Sequence, residues 1–336
     1  MSKKNRRTPL LLRVFFALMG AGLAIFSWWG WVPARISTPQ CQCVQNGAWI
    51  SVDWTSQPVD EVEIERLAVN MARYEIRSLF PFTTYLREDG SFSSTYDHAD
   101  EFVAAFRQTG SEQSLLAWIG IPLTNEGTLG IDGTVDLSDE STRQKIVALA
   151  VELTEDVGFD GVHLDAETVR SGDESFLLLL EEVKTGIGDR TLSVAGSYWL
   201  PQIVNSLPVL ERFKWDSEYY GEVAERVDQI ATMTYDSGMP LAPLYRLWLR
   251  EQVRGIGHSL TNSDVELLIG ISVSRENTFT HRPWAENLRN GLAGVCGGFE
   301  RYPESAGVVD GIAIYAAWET NEADWSLWES WSGSNR

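Results

Sequence analysis

Gly158-Phe159-Asp160-Gly161-Val162-His163-Leu164-Asp165-Ala166-Glu167 puts a glycine-bearing turn directly before an alternating run that ends in two carboxylates. Side chains of a strand point alternately to its two faces, so Gly161, His163, Asp165 and Glu167 share one face and Val162, Leu164 and Ala166 the other. The apolar set suits packing outward against helices. The polar set then points inward, where each group needs a partner or a task.

Working outward from this strand, the chain alternates strand and helix patterns, the signature of a parallel α/β architecture with crossovers. Before it come strands over Gly47 to Asp53, Arg77 to Leu86 and Leu115 to Pro122, separated by helical periodicity over Val59 to Arg73 and His98 to Thr109. An amphipathic helix from Asp139 to Val157 leads into the quoted stretch. After it, strands over Thr191 to Trp199, Gln229 to Asp236, Val265 to Val273 and Val309 to Trp318 alternate with helices over Glu174 to Gly186, part of Glu211 to Val227, Leu241 to Gly255 and Trp284 to Leu292. A Trp-rich helix closes the chain. No Gly-x-Gly-x-x-Gly follows the first strand, as a dinucleotide-binding sheet would require. Eight strand–helix units predict a (β/α)8 TIM barrel over residues 47–336. In such barrels the reacting groups stand at the C-terminal ends of the strands, a position that Asp53, Asp165, Glu167, Tyr198, Tyr235, Asp236 and Trp318 all fit.

The composition narrows the partners. With 27 basic and 47 acidic residues the net charge is −20, which argues against nucleic acid and anionic membrane surfaces as partners of the barrel. Fourteen Trp and ten Tyr supply flat aromatic faces that suit sugar rings, although most such rings serve as core. The N-terminus carries Lys3, Lys4, Arg6, Arg7 and Arg13 ahead of an uncharged run from Val14 to Val32, about the length that crosses a bilayer. Trp28, Trp29 and Trp31 form an interfacial belt at its far end. Residues 1–33 are therefore expected to act as a signal anchor that leaves the barrel outside the cytoplasm; a cleaved signal peptide ending near Val32-Pro33-Ala34 is the competing reading, with a secreted product. Residues 34–46 read as a linker. Cys41, Cys43 and Cys296 have neither redox-motif nor zinc-ligand spacing, so neither a metal site nor a disulfide framework is expected, and the odd count favours free thiols. No cofactor is implied.

Asp165 and Glu167 lie about 6 to 7 Å apart along one strand face. Carboxylates that close influence each other's ionisation, so one can stay protonated near neutral pH and act as an acid. Glu167, nearer the barrel mouth, is the better general acid; ordinary strand-end acids solvated at the rim would show the same spacing.

The segment Asp160-Gly161-Val162-His163-Leu164-Asp165-Ala166-Glu167 resembles the D-G-x-D-x-D-x-E signature on the fourth strand of family 18 glycoside hydrolases, the chitinase and endo-β-N-acetylglucosaminidase family. Asp160, Gly161, Asp165 and Glu167 match, and His163 stands where the family has its middle acid. Met233-Thr234-Tyr235-Asp236 is similar to the family's M-x-Y-D and falls on the sixth strand of the count. Leu192-Ser193-Val194-Ala195 is a weaker match to the fifth strand. The resemblance implies retaining hydrolysis of β-linked N-acetylglucosamine glycans in which the substrate's own acetamido oxygen is the nucleophile. It implies that Glu167 protonates the leaving oxygen and then activates water. Asp165 would stabilise the acetamido group as an oxazolinium forms, Tyr235 would donate to the acetamido oxygen, and Asp236 would hold the sugar or the Tyr. His163, Tyr198 and Asp53 are expected to contact substrate. A His at 163 would hydrogen-bond Asp165 and, as a cation, hold it ionised.

The family's aromatic floor at the end of the eighth strand has two candidates here, Tyr315 and Trp318. An inward set of Ile312, Ile314, Ala316 and Trp318 would make Trp318 the floor. Two other readings stand beside the hydrolase: a catalytically silent glycan-binding barrel, and a glycosidase of another family pairing Glu167 with Asp53 or Asp236.

Overall fold

The computed structural model describes residues 41, 43–124, 133–200 and 215–333. The expected membrane anchor or signal segment lies outside them, as do most of the 34–46 linker, much of the loop after the third strand and the start of the helical segment expected from Glu211. Among the described residues no helix is long and apolar enough to cross a membrane.

Eight parallel strands close on themselves in sequence order, each paired with the next and the last with the first. They are β1 (Asn46–Ile50), β2 (Ile76–Tyr85), β3 (Ser114–Pro122), β4 (Gly161–Glu167), β5 (Thr191–Gly196), β6 (Gln229–Thr232), β7 (Glu266–Ser272) and β8 (Gly311–Tyr315). The helices are α1 (Asp53–Ser56), α2 (Glu61–Arg73), α3 (Ala99–Gln108), α4 (Glu140–Glu155), α5 (Glu174–Ile187), α6 (Ser217–Ala224), α7 (Ala242–Ser259), α8 (Leu288–Arg301) and α9 (Glu322–Ser332). The TIM-barrel expectation therefore holds, with strand ends several residues shorter at β1, β5, β6 and β8. The helix expected from Trp284 begins only at Leu288, because Asn287 caps it by accepting from the Asn290 amide.

Two apolar layers follow from the two strand faces. Val162, Leu164 and Ala166 belong to the outer layer between strands and helices, as their alternation predicts. The barrel interior is a separate cluster of Trp49, Phe80, Leu116, Trp118, Ala231, Tyr235, Leu268 and Ala313.

An aspartate at the foot of alternate strands staples each to its neighbour. Asp160 Oδ2 accepts from the Leu115 amide at 2.7 Å, Asp228 Oδ2 from the Leu192 amide at 2.7 Å and Asp310 Oδ2 from the Leu267 amide at 2.9 Å. Asn46 Oδ1 of β1 accepts in the same way from the Ile312 amide of β8 at 3.0 Å, across the closure of the barrel. Asp160 is thus a structural residue at the end remote from the strand tips, held further by Arg107. Gly161 and Gly311, the residues after two of these aspartates, are glycine for a matching reason: a Cβ would lie 2.0 Å from the carbonyl oxygen of Thr191 on β5 in the one case and of Gln45, just before β1, in the other.

The cysteine expectation is corrected. Cys41, just before β1, is disulfide-bonded to Cys296 on α8, and only Cys43 is a free thiol. The partners are 255 residues apart in sequence, and only barrel closure brings the two ends of the chain together. Cys43 is buried, which together with the charge of Asp310 pushes its thiol up to about 12 and leaves it unreactive. Next to this join, α9 docks by its tryptophans: Trp328 Nε1 donates to the Tyr74 carbonyl at 2.7 Å and Trp325 stacks on the Tyr74 ring.

Candidate active site

The inward face of β4 delivers its polar residues to successive levels of the barrel. His163 is fully buried. Trp49 Nε1 donates to its Nε2 at 3.1 Å, so Nδ1 carries the ring proton and faces the Ser193 hydroxyl at 2.8 Å. Ser193 donates on to Gln229, whose amide donates to Ser78 and Glu266. Phe80 stacks on the imidazole at 4.3 Å. Burial pushes His163 down to about 3, and it is neutral. Two sequence expectations therefore fail: His163 does not bond Asp165, because both ring nitrogens are engaged elsewhere, and it lies too deep to touch a substrate.

One level up, Asp165 takes its hydrogen bond from β3 instead. Trp118 Nε1 donates to Asp165 Oδ2 at 2.9 Å, while Oδ1 is buried without a partner. Burial, then the charge of Glu167, raises the Asp165 carboxyl well above the ordinary carboxylate range, and the Trp118 bond works in the opposite direction. Glu167 stands at the open mouth of the barrel. Partial desolvation among its neighbours, then the Asp236 carboxylate, raises it too. The pair thus favours retaining a proton, as an acid–base site requires.

Tyr235 follows β6 and closes one wall. Its ring is buried, stacks on Tyr315 at 4.7 Å with the planes 5° apart, and meets Trp49 edge-on. Burial and the phenol and carboxylates around it keep its hydroxyl protonated, a donor at any ordinary pH. Asp165, Glu167 and Asp236 act electrostatically on both Tyr235 and Tyr315, which places the three carboxylates around one aromatic pair. The peptide bonds after Glu167 and Tyr315 are cis. Beside Glu167 a polar cleft of about 260 Å³ is lined by Thr124, Asp136, Thr168, Arg170 and Asp173 among others.

On β8 the inward residues are Ala313 and Tyr315, with Ile312 and Ile314 in the outer layer, so Tyr315 and not Trp318 ends the interior face. Trp318 sits on a 3-10 turn over Ala317–Glu319, 46% exposed, edge-on to Tyr315 at 5.7 Å. The inward set is Ala313 and Tyr315, one residue out of step with the expected Ile312, Ile314, Ala316 and Trp318. Asp53 is not at a strand end: β1 stops at Ile50, and Asp53 is exposed on α1, accepting from Ser51 and lining a separate depression with Trp54 and Asp60. Tyr198 lies beyond the end of β5, where burial pushes its hydroxyl up to about 12 and its ring packs edge-on against Trp248.

Asp236 brings in two residues that sequence reasoning missed. Its carboxylate faces His281 Nδ1 at 2.9 Å, and Glu286 Oε2 is 3.4 Å from the same nitrogen. Both newcomers are on the loop between β7 and α8, far from any motif. Among the described residues this is the group of acidic and imidazole donors close enough together to hold a cation, with ligand atoms within 4.8 Å of one another. His281 Nε2, on the other side of the ring, faces the Ser274 carbonyl oxygen at 3.0 Å.

No family model matches the chain, and no curated protein matches it. Among solved structures it is similar to a chitinase from Chromobacterium violaceum, with 13% identity over 87% of this chain and 99% of that one and a TM-score of 0.56. The spore cortex-lytic enzyme SleL of Bacillus cereus matches with 14% identity over 86% of this chain and 75% of its own, TM-score 0.56. A family 18 chitinase from Cycas revoluta, solved in complex with allosamidin, matches with 14% identity over 87% and 100%, TM-score 0.57. At these identities the likeness establishes the fold: the chain has the eight-stranded barrel found in family 18 chitinases and cortex-lytic enzymes.

Proposed function

We propose that the protein is a retaining glycoside hydrolase acting on β-linked N-acetylglucosamine glycans, with the acetamido oxygen of the substrate as nucleophile. The observation that carries this reading is the unpartnered, buried Oδ1 of Asp165 directly beneath Glu167. A buried acceptor left open in a native fold points to a missing donor, and a substrate acetamido N–H is a donor of the right kind. Glu167 gives its proton to the glycosidic oxygen as the C1–O bond breaks and the acetamido oxygen bonds to C1. Asp165 accepts from the N–H and opposes the positive charge of the oxazolinium, while Tyr235 orients the acetamido oxygen. Glu167, now a carboxylate, takes a proton from water, which attacks C1 and reopens the ring with retention. The Tyr235–Tyr315 pair supplies an aromatic wall for the sugar, and the barrel is shared with proteins described as a chitinase and a spore cortex-lytic enzyme.

The barrel works outside the cytoplasm, anchored by or released from its N-terminal apolar run. The Cys41–Cys296 disulfide supports this placement, since such bonds persist in oxidising compartments.

Glu167→Gln, assayed on chitooligosaccharides and peptidoglycan, should lose about 10²–10⁴-fold in cleavage while still binding. A thiazoline mimic of the oxazolinium should inhibit the wild type. Absence of cleavage by the wild type on any such glycan, with binding retained, would leave a silent binding barrel; cleavage without thiazoline inhibition would point to a conventional carboxylate pair.

A further inference from the structure

Asp236 is held in an unusual way. Its φ is +53°, a left-handed conformation that few non-glycine residues adopt, and it directly follows Tyr235. Something must fix it there. The Gly238 amide donates to the Thr280 carbonyl at 2.6 Å, which pins the segment after β6 to the loop that carries His281. His281 is 2% exposed and is itself anchored, its amide donating to Thr278 Oγ1. Its ring is surrounded by acceptors. A backbone carbonyl cannot donate, so Nε2 must carry a hydrogen toward Ser274. Nδ1 faces carboxylate oxygens of Asp236 at 2.9 Å and Glu286 at 3.4 Å, so it must carry one as well. Both nitrogens protonated make the ring an imidazolium.

Glu286 explains how that cation is maintained. It is 0% exposed, Ser237 donates to its Oε1 at 2.6 Å, and Oε2 has His281 as its nearest cation among the described residues. A buried carboxylate with no counter-charge is strongly unfavourable, so Glu286 and His281 require each other.

We infer that His281 is a positioning residue of the site: its imidazolium, kept charged by buried Glu286, clamps the Asp236 carboxylate and sets the negative field that Asp236 exerts on Glu167. The consequence for the reaction rests on the hydrolase reading; the charge state of His281 does not. Burial alone would push this imidazole down, but its bonds to Asp236 and the Ser274 carbonyl and the adjacent Glu286 carboxylate outweigh that and raise it to about 10. The groups facing it are Asp236 from the β6 end, Ser274 and Glu286 from its own loop, and, beside Glu286, the buried Tyr245 hydroxyl from α7. Arg282 is turned away, over the Trp284 ring.

Two measurements test this. With four His in the chain, the His281 imidazole can be assigned by NMR through loss of its signal in His281→Gln. In the wild type it should remain protonated at pH 8 and titrate lower in Glu286→Gln. An ordinary or depressed titration in the wild type overturns the inference, and so does stoichiometric uptake of Zn²⁺ or Ca²⁺ by the chelator-treated protein with displacement of the Nδ1 proton. In kinetics, His281→Gln should lower kcat about tenfold, the scale of one lost charged hydrogen bond. The alkaline limb of its kcat/KM profile should move to higher pH, because Asp236 then acts on Glu167 without the neighbouring cation. A lower rate with an unmoved profile would reduce His281 to a structural role. If the wild type cleaves nothing, the hydrolase reading fails while the NMR result still decides the charge of His281.

Discussion

Trp118 Nε1 donates to Asp165 Oδ2 across 2.9 Å, and by that bond β3 decides which oxygen of the β4 carboxylate is left open. The residue two places earlier on β4, His163, is turned away from Asp165 by Trp49 and Ser193. Asp165 is therefore oriented from the side rather than from below, and the absence of an acid at position 163 is met by an indole.

Trp118→Phe keeps most of the ring contact with Phe82 and Tyr315 but removes the donor. A hydrogen bond to a charged group contributes about 1.5–3 kcal/mol, so kcat should fall roughly 10–100-fold with little change in KM. Unchanged kcat would show that Asp165 needs no support from β3.

Tyr315→Ala should raise KM and lower kcat, since it takes away the partner stacked on Tyr235. Trp318→Ala, at a half-exposed position on a turn, should raise KM alone, by about threefold at most. Steady-state kinetics on one soluble oligosaccharide separates them, and a Trp318 variant more impaired in kcat than the Tyr315 variant would restore Trp318 as the floor.

His163 should make the fold sensitive to acid. Its folded value, about 3, lies below its unfolded value of 6.5, so the unfolded chain binds the proton first. Above 6.5 the group is neutral in both states and costs nothing; as pH falls from 6.5 toward 3, stability drops by about 1.4 kcal/mol per unit from this residue alone. Denaturant midpoints of the wild type and His163→Gln should diverge over that window, with the variant flatter. Parallel curves would mean that His163 is not buried as a neutral ring.

Reducing the Cys41–Cys296 bond, or replacing Cys296 by Ser, should lower stability by about 2–5 kcal/mol, because the bond ties β1 to α8 across almost the whole barrel. Thermal melts with and without reductant check this; coincident melts would show that the β1–β8 pairing and the α9 tryptophans close the barrel unaided.

The sequence by itself determined the architecture and the centre of the site. Strand period two and helix period 3.6 are local properties, written in the residues that obey them, so the eight units could be counted before any contact was known. The alternation Gly161, His163, Asp165, Glu167 fixed the inward face of β4 for the same reason. The tertiary structure decided everything that depends on which strand faces which. It gave Asp165 a partner on β3 and His163 its partners on β1 and β5. It joined Cys41 to Cys296 across 255 residues, and it put His281 and Glu286 behind Asp236. It also set the parity of β8, which ends at Tyr315 with a turn before Trp318. Hydrogen bonds and ion pairs between neighbouring strands and loops join atoms that are close in space and distant in sequence, and no periodicity along the chain encodes them.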